Sequence, residues 1–594
     1  MLAEPKSPEV LPEPDWREPS RLSGLVFFAK VQALRSRRVM TDLLHGPPVL
    51  RRGGEGIPAC TQAESRTPLK ASQPDGERIH QLGKIQNLRQ ACRALDGLVI
   101  PAGATFSFWR AVGPPTAWRG YVPGRMLKEG CLMVAVGGGL CQLSNALYDC
   151  ALQAGCQILE RHAHSRVVPG SAAARGRDAT VAWNYVDLRF RAERPLRLQA
   201  RLEGPDLVVR LLGAADAERP AESNRLPAPA TSSAAARSCA TCHQAGCHHH
   251  IPSARRGPPP GRQVFLVDEA WPEFLAHVRA VQGPEDRLGA PLSGTGVQAA
   301  RHAWPQAGFE RTAGAPLTAI GRSLALRQAG AGAAARRAEL QAAEALAARL
   351  GRLLTYDVET VTVAQSYLPY LWRAGLLGGR TVSVLMSRLP MAELQDRLDA
   401  AARRRPETAS LTDFRAPDWM AEAESEALAA CAHIITPHAA IAALFGARAY
   451  RLAWATPQGV AVPAAPQAAW CGRIAFPGPA LARKGAFAVR EAARRLDLEV
   501  VTAASAPEGA GFWDGVRCSP PQAGQPVDAV VLPAVIEHQP RRLLAALAAG
   551  VPVIASPACG LDPQPGLTLM PPDDSAALIE ALQGLRDQRP GAGH

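Results

Sequence analysis

Lysine is nearly missing from this 594-residue chain: six of its 66 basic residues are lysine, and the other 60 are arginine. Aromatic residues make up only 5%, and no dense basic run is interleaved with them. The net charge of +13 is therefore carried by arginine spread along the whole length, and a nucleic-acid-binding surface is not expected. No apolar stretch reaches the roughly 18 residues that a membrane-spanning helix needs. The run LVFFA at 25–29 stops at Lys30. The opening MLAEPKSPEVLPEPDW is acidic and proline-rich, without the basic and apolar regions of a secretion signal. Thirteen cysteines in so long a chain do not make a disulfide framework. The expectation is a cytoplasmic protein with reduced thiols. Hydrophobic residues at 47% and charged residues at 20% exclude a collagen, a coiled-coil rod and a wholly disordered chain.

What is present divides the chain into several domains. Residues 1–75 read as a mostly irregular extension with one helix at 18–44. Its apolar positions recur near every 3.6 residues, so its short apolar face is expected to pack on the next domain, with a membrane surface as the alternative. Residues 76–213 read as an α+β unit. A helix is expected over 76–95 and a second over 141–155. Strands are expected near 106–109 and 120–122, then over 160–168, 178–190, 196–204 and 207–213. Residues 214–262 are rich in Ala, Ser, Pro and Arg and read as a linker. From 263 the pattern becomes alternating strand and helix. TVSVLM (381–386), HIIT (433–436), DAVVLP (528–533) and VPVIAS (551–556) are continuous apolar runs, as in parallel strands covered on both faces. Two Rossmann-like halves are expected, at 263–455 and 456–588.

GGGLCQLSNALYDCAL at 137–152 is the most informative stretch of the first half. Three glycines permit a sharp turn with close backbone approach. Cys141 then falls at the start of a helix, where the dipole and free N–H groups favour a thiolate. That is what a cysteine nucleophile requires. His162 or His164 is the candidate base. Were 160–168 a strand, Glu160, His162 and His164 would share one face, and a metal there is an alternative. Asp178 is the candidate orienting group. A small buried Cys141 beside a structural histidine pair is the plainer reading.

Four blocks of this region carry a resemblance: FSFWRAVGPPTAWRGYVPG (106–124), GGGLCQLSNALYDCALQAG (137–155), ERHAHSRVVPG (160–170) and GRDATVAWNYVDLRF (176–190). In this order and spacing, over roughly 78–212, they resemble the VanW family. The family takes its name from an accessory gene of vancomycin-resistance clusters, and the resemblance names a domain without naming a reaction.

CATCHQAGCHHH at 239–250 offers Cys239, Cys242 and Cys247 together with His243, His248, His249 and His250. Cys-x-x-Cys brings two thiolates to one metal, and a third cysteine with one histidine completes a tetrahedron. A structural zinc site on Cys239, Cys242, Cys247 and His250 is expected, with an iron–sulfur cluster as the alternative.

In the last third, a turn after a buried strand followed by a helix puts a helix N-terminus at the C-terminal edge of a parallel sheet, where nucleotides and phosphates bind. Arg473 and Lys484 are candidates for a diphosphate, and Glu537 for a ribose or sugar hydroxyl. Residues 470–562 resemble retaining glycosyltransferases of GT-B fold, which use nucleotide-sugar donors. The resemblance implies that Arg473 and Lys484 form the phosphate-binding pair and that Glu537 is the first glutamate of a Glu-x7-Glu motif. The second glutamate's place is taken by Ala545.

The chain is thus expected to be a VanW-like α+β domain followed by an α/β GT-B-like double Rossmann module. The leading functional expectation is sugar transfer from a nucleotide-sugar to a cell-envelope or secondary-metabolite acceptor. The alternatives are a Cys141-dependent enzyme acting on a peptide or amide, and a non-catalytic ligand-binding protein.

Overall fold

The structure, a computed structural model, describes residues 21–53, 60–70, 78–128, 131–164, 176–214, 237–238, 261–293, 301–330, 332–457, 464, 469–503, 508–509, 511–522 and 524–588. It falls into two compact units. One comprises residues 1–261 with the short stretches 355–359 and 377–380, and the other comprises the remainder.

The first unit opens with α1 (Arg21–His45) and β1 (Cys60–Pro68), then α2 (Arg78–Leu95), β2 (Val99–Ile100), β3 (Thr105–Ser107), α3 (Phe108–Val112), β4 (Pro123–Lys128) and β5 (Cys131–Val136). It continues with α4 (Cys141–Gln153), β6 (Gln157–Glu160), β7 (Arg189–Arg191), β8 (Leu196–Glu203), β9 (Asp206–Gly213) and β10 (Arg237–Ser238). The main sheet has the order β1-β9-β8-β2 and is antiparallel. Burial alternates strictly along β8, so one face meets a core and the other faces away. Ile85, Leu88 and Leu95 of α2 and Leu143 and Leu147 of α4 enter that core. A smaller sheet, β3-β7-β6, is pinned by Phe106 stacked on Phe190 at 4.7 Å. The third sheet has the order β10-β5-β4.

Several expectations are corrected here. The unit's sheet takes in β1, well before residue 76. The strand expected at 106–109 stops at Ser107, whose hydroxyl caps α3 by accepting from the Arg110 N–H. The strand expected near 120–122 starts instead at Pro123. The strand expected over 160–168 ends at Glu160, and of 178–190 only its last two residues lie in a strand, β7. The α1 expectation is corrected most sharply. Val31 is buried, but Leu22, Leu25, Val26, Met40, Leu43 and Leu44 are exposed. Polar side chains do the docking: Arg38 pairs with Glu160, Arg189 with Asp42 at 2.8 Å, and Arg35 Nε donates to the Trp183 carbonyl at 2.7 Å. The physical reason is that the surface under α1 carries partly buried charge, which opposite charge satisfies and an apolar stripe would not.

The second unit begins with β11 (Arg262–Leu266), α5 (Pro272–Val281), β12 (Arg287–Ala290), β13 (Leu292–Ser293), β14 (Ala303–Trp304), β15 (Arg311–Gly314), α6 (Pro316–Ala329) and α7 (Gly332–Leu350). Next come β16 (Val358–Ala364), α8 (Leu368–Arg373), β17 (Thr381–Leu385), α9 (Met391–Arg404), α10 (Asp418–Ala430), β18 (His433–Thr436), α11 (Ala439–Phe445) and β19 (Ala449–Arg451). The last elements are β20 (Arg473–Ala475), α12 (Ala486–Leu496), β21 (Glu499–Val501), β22 (Arg517–Ser519), β23 (Ala529–Leu532), α13 (Arg541–Ala548), β24 (Val553–Ala555), β25 (Leu567–Leu569) and α14 (Ser575–Asp587).

Two sheets organise this unit. The first runs β15-β12-β11-β16-β17-β18-β19 and the second β22-β21-β20-β23-β24-β25. All pairings of the second sheet are parallel, as are those within β15-β12-β11 and within β16-β17-β18-β19 of the first. Counted in order of appearance, both sheets begin third, second, first, fourth, fifth, sixth, which is the doubly wound Rossmann order. The apolar runs supply fully buried strands, such as Val530, Val531 and Ile554 in the second sheet. The order reverses between β11 and β16 in the first sheet and between β20 and β23 in the second. Crevices open there at the strands' C-terminal ends.

The glycine turn before α4 is dictated by space. A Cβ on Gly138 would land on the Gly124 carbonyl oxygen, and one on Gly139, at φ +98°, on the Lys84 side chain. Backbone cannot yield as a side-chain tip can. Gly138→Ala should therefore cost about 2–3 kcal/mol, read as a lower urea midpoint at unchanged m-value. An unchanged midpoint would contradict this packing.

Candidate functional site

Cys141 is the first residue of α4, directly after the glycine turn. The N–H groups of Gln142, Leu143 and Ser144 are taken up by the Gly139 and Leu140 carbonyls. The Cys141 N–H heads the helix, where the positive end of the helix dipole lies. The same face of α4's first turns grips the segment after Asp178. Ser144 Oγ donates to the Ala179 carbonyl at 2.5 Å, and Asn145 Oδ1 accepts from the Ala179 N–H at 2.7 Å. Lys84 Nζ bonds Gln142 Oε1 at 2.9 Å and steadies the turn from the other side.

This grip brings Asp178 to His164. The imidazole Nδ1 lies 2.5 Å from Asp178 Oδ1, and the His164 backbone N–H donates to Asp178 Oδ2 at 2.7 Å. Ring and backbone are thus fixed by one carboxylate, whose side chain is 4% exposed. The remaining ring nitrogen is not taken by Asp178, and His164 lies near enough for its charge to act on the Cys141 thiol. Cys141 Sγ also lies 3.6 Å from Thr180 Oγ1 and 3.8 Å from the Val181 carbonyl.

Electrostatics follow from this geometry. Burial alone would raise the Cys141 thiol, but the hydrogen bond and charge of His164 override it and hold the thiol below its usual range. Burial alone would lower His164, but the bonds to Asp178 and Cys141 push it up to about 10. Both shifts favour the same ion pair, a thiolate beside an imidazolium. The other buried thiols behave oppositely: Cys150 and Cys92 are pushed well up by burial.

Of the sequence candidates, Cys141, His164 and Asp178 come together and His162 does not. Because the strand ends at Glu160, His162 and His164 do not share a strand face. His162 is half exposed and pairs with Glu160 at 3.3 Å. A metal on Glu160, His162 and His164 is also corrected, because Glu160 is committed to Arg38 and His164 to Asp178. Among the described residues no group of three or more His, Cys, Asp or Glu side chains could hold a metal ion. The expected zinc or iron–sulfur ligands Cys239, Cys242, Cys247 and His250 lie outside the described residues. Sequence reasoning missed Ser144, Asn145 and Thr180. The first two stand three and four residues after Cys141, the spacing of one helix face.

In the second sheet, Lys484 follows β20 and Glu537 follows β23, so both stand at the reversal of strand order. Lys484 Nζ and Glu537 Oε2 are 2.7 Å apart. Glu537 Oε1 accepts the N–H groups of His538 and Gln539 at 2.8 and 2.9 Å. Burial would raise the Glu537 carboxyl, but Lys484 and those N–H groups hold it below its usual range. Arg473 is not with them. It starts β20, at the opposite edge of the parallel sheet, and its guanidinium binds Glu499 at 3.0 Å and the Pro526 carbonyl at 3.2 Å. Its expected pairing with Lys484 is corrected because a parallel strand separates its first residue from its C-terminal loop. Ala545, in α13, is buried.

Comparison with known proteins places a name on part of the chain. The family model described as VanW like protein matches residues 83–212. The uncharacterized protein YoaR of Bacillus subtilis is 36% identical over 130 residues, which cover 22% of this chain and 42% of that protein. The vancomycin B-type resistance protein VanW of Enterococcus faecalis is 38% identical over 120 residues, 19% of this chain and 43% of that protein. The chain thus spans less than half the length of either relative. Among solved structures, Anabaena HepE in complex with UDP and glucose aligns over 54% of this chain and 89% of its own, at 13% identity and a TM-score of 0.33. Sucrose-phosphate synthase from Thermosynechococcus elongatus aligns over 55% and 90%, at 16% identity and 0.33. Among the described residues no helix is long and apolar enough to cross a membrane. Residues 83–212 of this chain are a VanW-like domain, joined to an α/β module of two doubly wound sheets.

Proposed function

We propose that the first unit is a thiol-dependent acyl-transfer enzyme acting on a peptide or amide bond. The observation that carries this reading is that Asp178 clamps His164 beside Cys141, the first residue of α4, with the imidazole charge acting on the thiol. In it the Cys141 thiolate adds to the amide carbon, and the Cys141 N–H at the head of α4 faces the developing oxyanion. The C–N bond breaks as imidazolium His164 passes its proton to the departing amine. A thioester forms on Cys141. Water or a second amine, deprotonated by the now neutral His164, attacks that thioester and releases the thiol. Asp178 keeps the ring in the orientation that both transfers need.

A second reading concerns residues 456–588, and the position of Lys484 and Glu537 at the second sheet's crevice favours it. There the module binds a nucleotide-sugar and transfers the sugar to a cell-envelope or secondary-metabolite acceptor. Lys484 meets the diphosphate, and Arg473 takes no part.

An activated acyl ester or thioester should leave a mass adduct on Cys141 that Cys141→Ser abolishes. His164→Ala should slow the acylation by about 10²–10⁴-fold. An adduct on another cysteine, or full acylation rate in His164→Ala, contradicts the first reading. The rate should rise with pH as the thiolate forms, at a midpoint below the usual thiol range. It should fall again near pH 10, where His164 gives up its proton. A single rise at the ordinary thiol pH would contradict the ion pair. For the second reading, calorimetry with UDP should show at least about tenfold weaker binding for Lys484→Ala and unchanged binding for Arg473→Ala. Equal effects of the two variants, or no binding by the unaltered chain, would overturn it.

A further inference from the structure

The first sheet has its own reversal of strand order, between β11 and β16, and a cleft of about 550 Å³ counted out to solvent opens there. Nothing in either functional reading uses it. Its lining is unusually charged for such a cleft: Asp268, Glu269 and Glu339 stand against Arg322, Arg336 and Arg388.

The six charges do not simply cancel in pairs. Asp268, just past the end of β11, is taken by Arg322 at 2.9 Å, by His302 at 3.0 Å and by the Ser366 hydroxyl at 2.8 Å. Glu339 is taken by Arg336 at 2.9 Å. Glu269 is taken by Arg301 at 2.8 Å. Every carboxylate of the lining therefore has its cation, and Arg388 is left over. It follows β17 on the loop into α9, where its backbone N–H is fixed by Gln365 Oε1 at 3.1 Å. Among the described residues its guanidinium makes no hydrogen bond and no ion pair, and its Nε is buried without a partner. Arg322 Nε is likewise buried and unpartnered. The acid whose charge acts on Arg388 is Glu424, wholly buried, whose two oxygens already accept from Gln365 Nε2 at 3.0 Å and from the Met391 N–H. Arg336 adds a second positive charge on the same wall.

A half-buried guanidinium with unmet donors, beside another cation, costs free energy in the empty cleft and recovers it when an anion arrives. A guanidinium fork matches two oxygens of one oxyanion. We propose that this cleft binds a small molecule through an oxyanion, a phosphate or carboxylate group, seated on Arg388 with Arg336 and Arg322 behind it. The body of the ligand lies against Phe274, Leu340 and Ala343. The loop that carries Glu537 borders this cleft, since Gln539 Nε2 donates to Glu269 at 3.1 Å and the Leu389 N–H to His538 Nε2 at 3.3 Å; the inference nevertheless rests on Arg388 and not on Cys141 or on sugar transfer.

The test is titration of the full chain with inorganic phosphate and, separately, with acetate at constant ionic strength. Saturable binding of at least one anion is expected, and preference for one tells which group the ligand carries. Arg388→Gln should weaken it by about tenfold or more, while Arg473→Gln, which removes the same charge elsewhere, should leave it unchanged. Phosphate or acetate should also shield Arg388 of the unaltered protein from phenylglyoxal, mapped by peptide mass spectrometry, so the outcome does not hang on a variant that folds. No saturable binding of either anion, equal affinity in Arg388→Gln, or Arg388 modified at the same rate with and without anion would each overturn the assignment.

Discussion

An imidazole clamped by one carboxylate is the constraint from which the chemistry of the first unit follows. Asp178 holds His164 twice, through the ring and through the backbone N–H, so the side chain and its peptide unit cannot move independently. The ring so held favours the thiolate of a thiol that burial alone would push toward the neutral form. Everything upstream serves that placement. The glycine turn lets the chain enter α4 against the Gly124 backbone, and the helix delivers Cys141 at its positive end. Ser144 and Asn145 then tie the Asp178 segment to the same helix. The contrast with Cys150, on the same helix but facing the sheet, shows that neighbours rather than residue type decide the ionisation: its Sγ meets the Val209 carbonyl at 3.2 Å with no histidine beside it among the causes of its shift, and burial pushes it up.

The second unit applies one architectural rule twice. In each doubly wound sheet the strand order reverses once, and in each the charged groups gather where it does. The two crevices solve the electrostatic problem differently. Lys484 and Glu537 neutralise each other at the second sheet, so a ligand there must separate a pair. At the first sheet the Arg388 guanidinium makes no ion pair among the described residues, and the nearby Glu424 is already held by Gln365 and the Met391 N–H. Burial of charge is costly in both, and only the first leaves the cost unmet in the ligand-free chain.

Much of this was legible in the sequence. The continuous apolar runs gave the parallel strands almost residue for residue, as in His433–Thr436, because a strand buried on both faces leaves no other pattern. Cys141 and Asp178 were visible as residue types in the right order. The choice between His162 and His164 was not, because it turned on where β6 ends, and register is decided by pairing with β7 rather than by local pattern. Arg473 misled for a related reason. Residue type suggested a phosphate ligand, but its place at the first position of β20 puts it on the wrong edge of the sheet. The apolar periodicity of α1 identified the helix and misassigned the docking face, since the partners Glu160 and Arg189 lie more than a hundred residues away. Arg388 carried no sequence signal at all. Its isolation exists only because the lining acids are already paired by residues from β11 to α7.

The ionisation of Cys141 near neutral pH tests the account most directly. A thiolate absorbs in the far ultraviolet where a thiol does not, so a pH titration of the unaltered chain against Cys141→Ser reads that one group. The account predicts a difference absorbance already present near neutral pH and shifted toward the ordinary thiol range in His164→Ala. A difference that appears only in the ordinary thiol range, and is the same in His164→Ala, would contradict it.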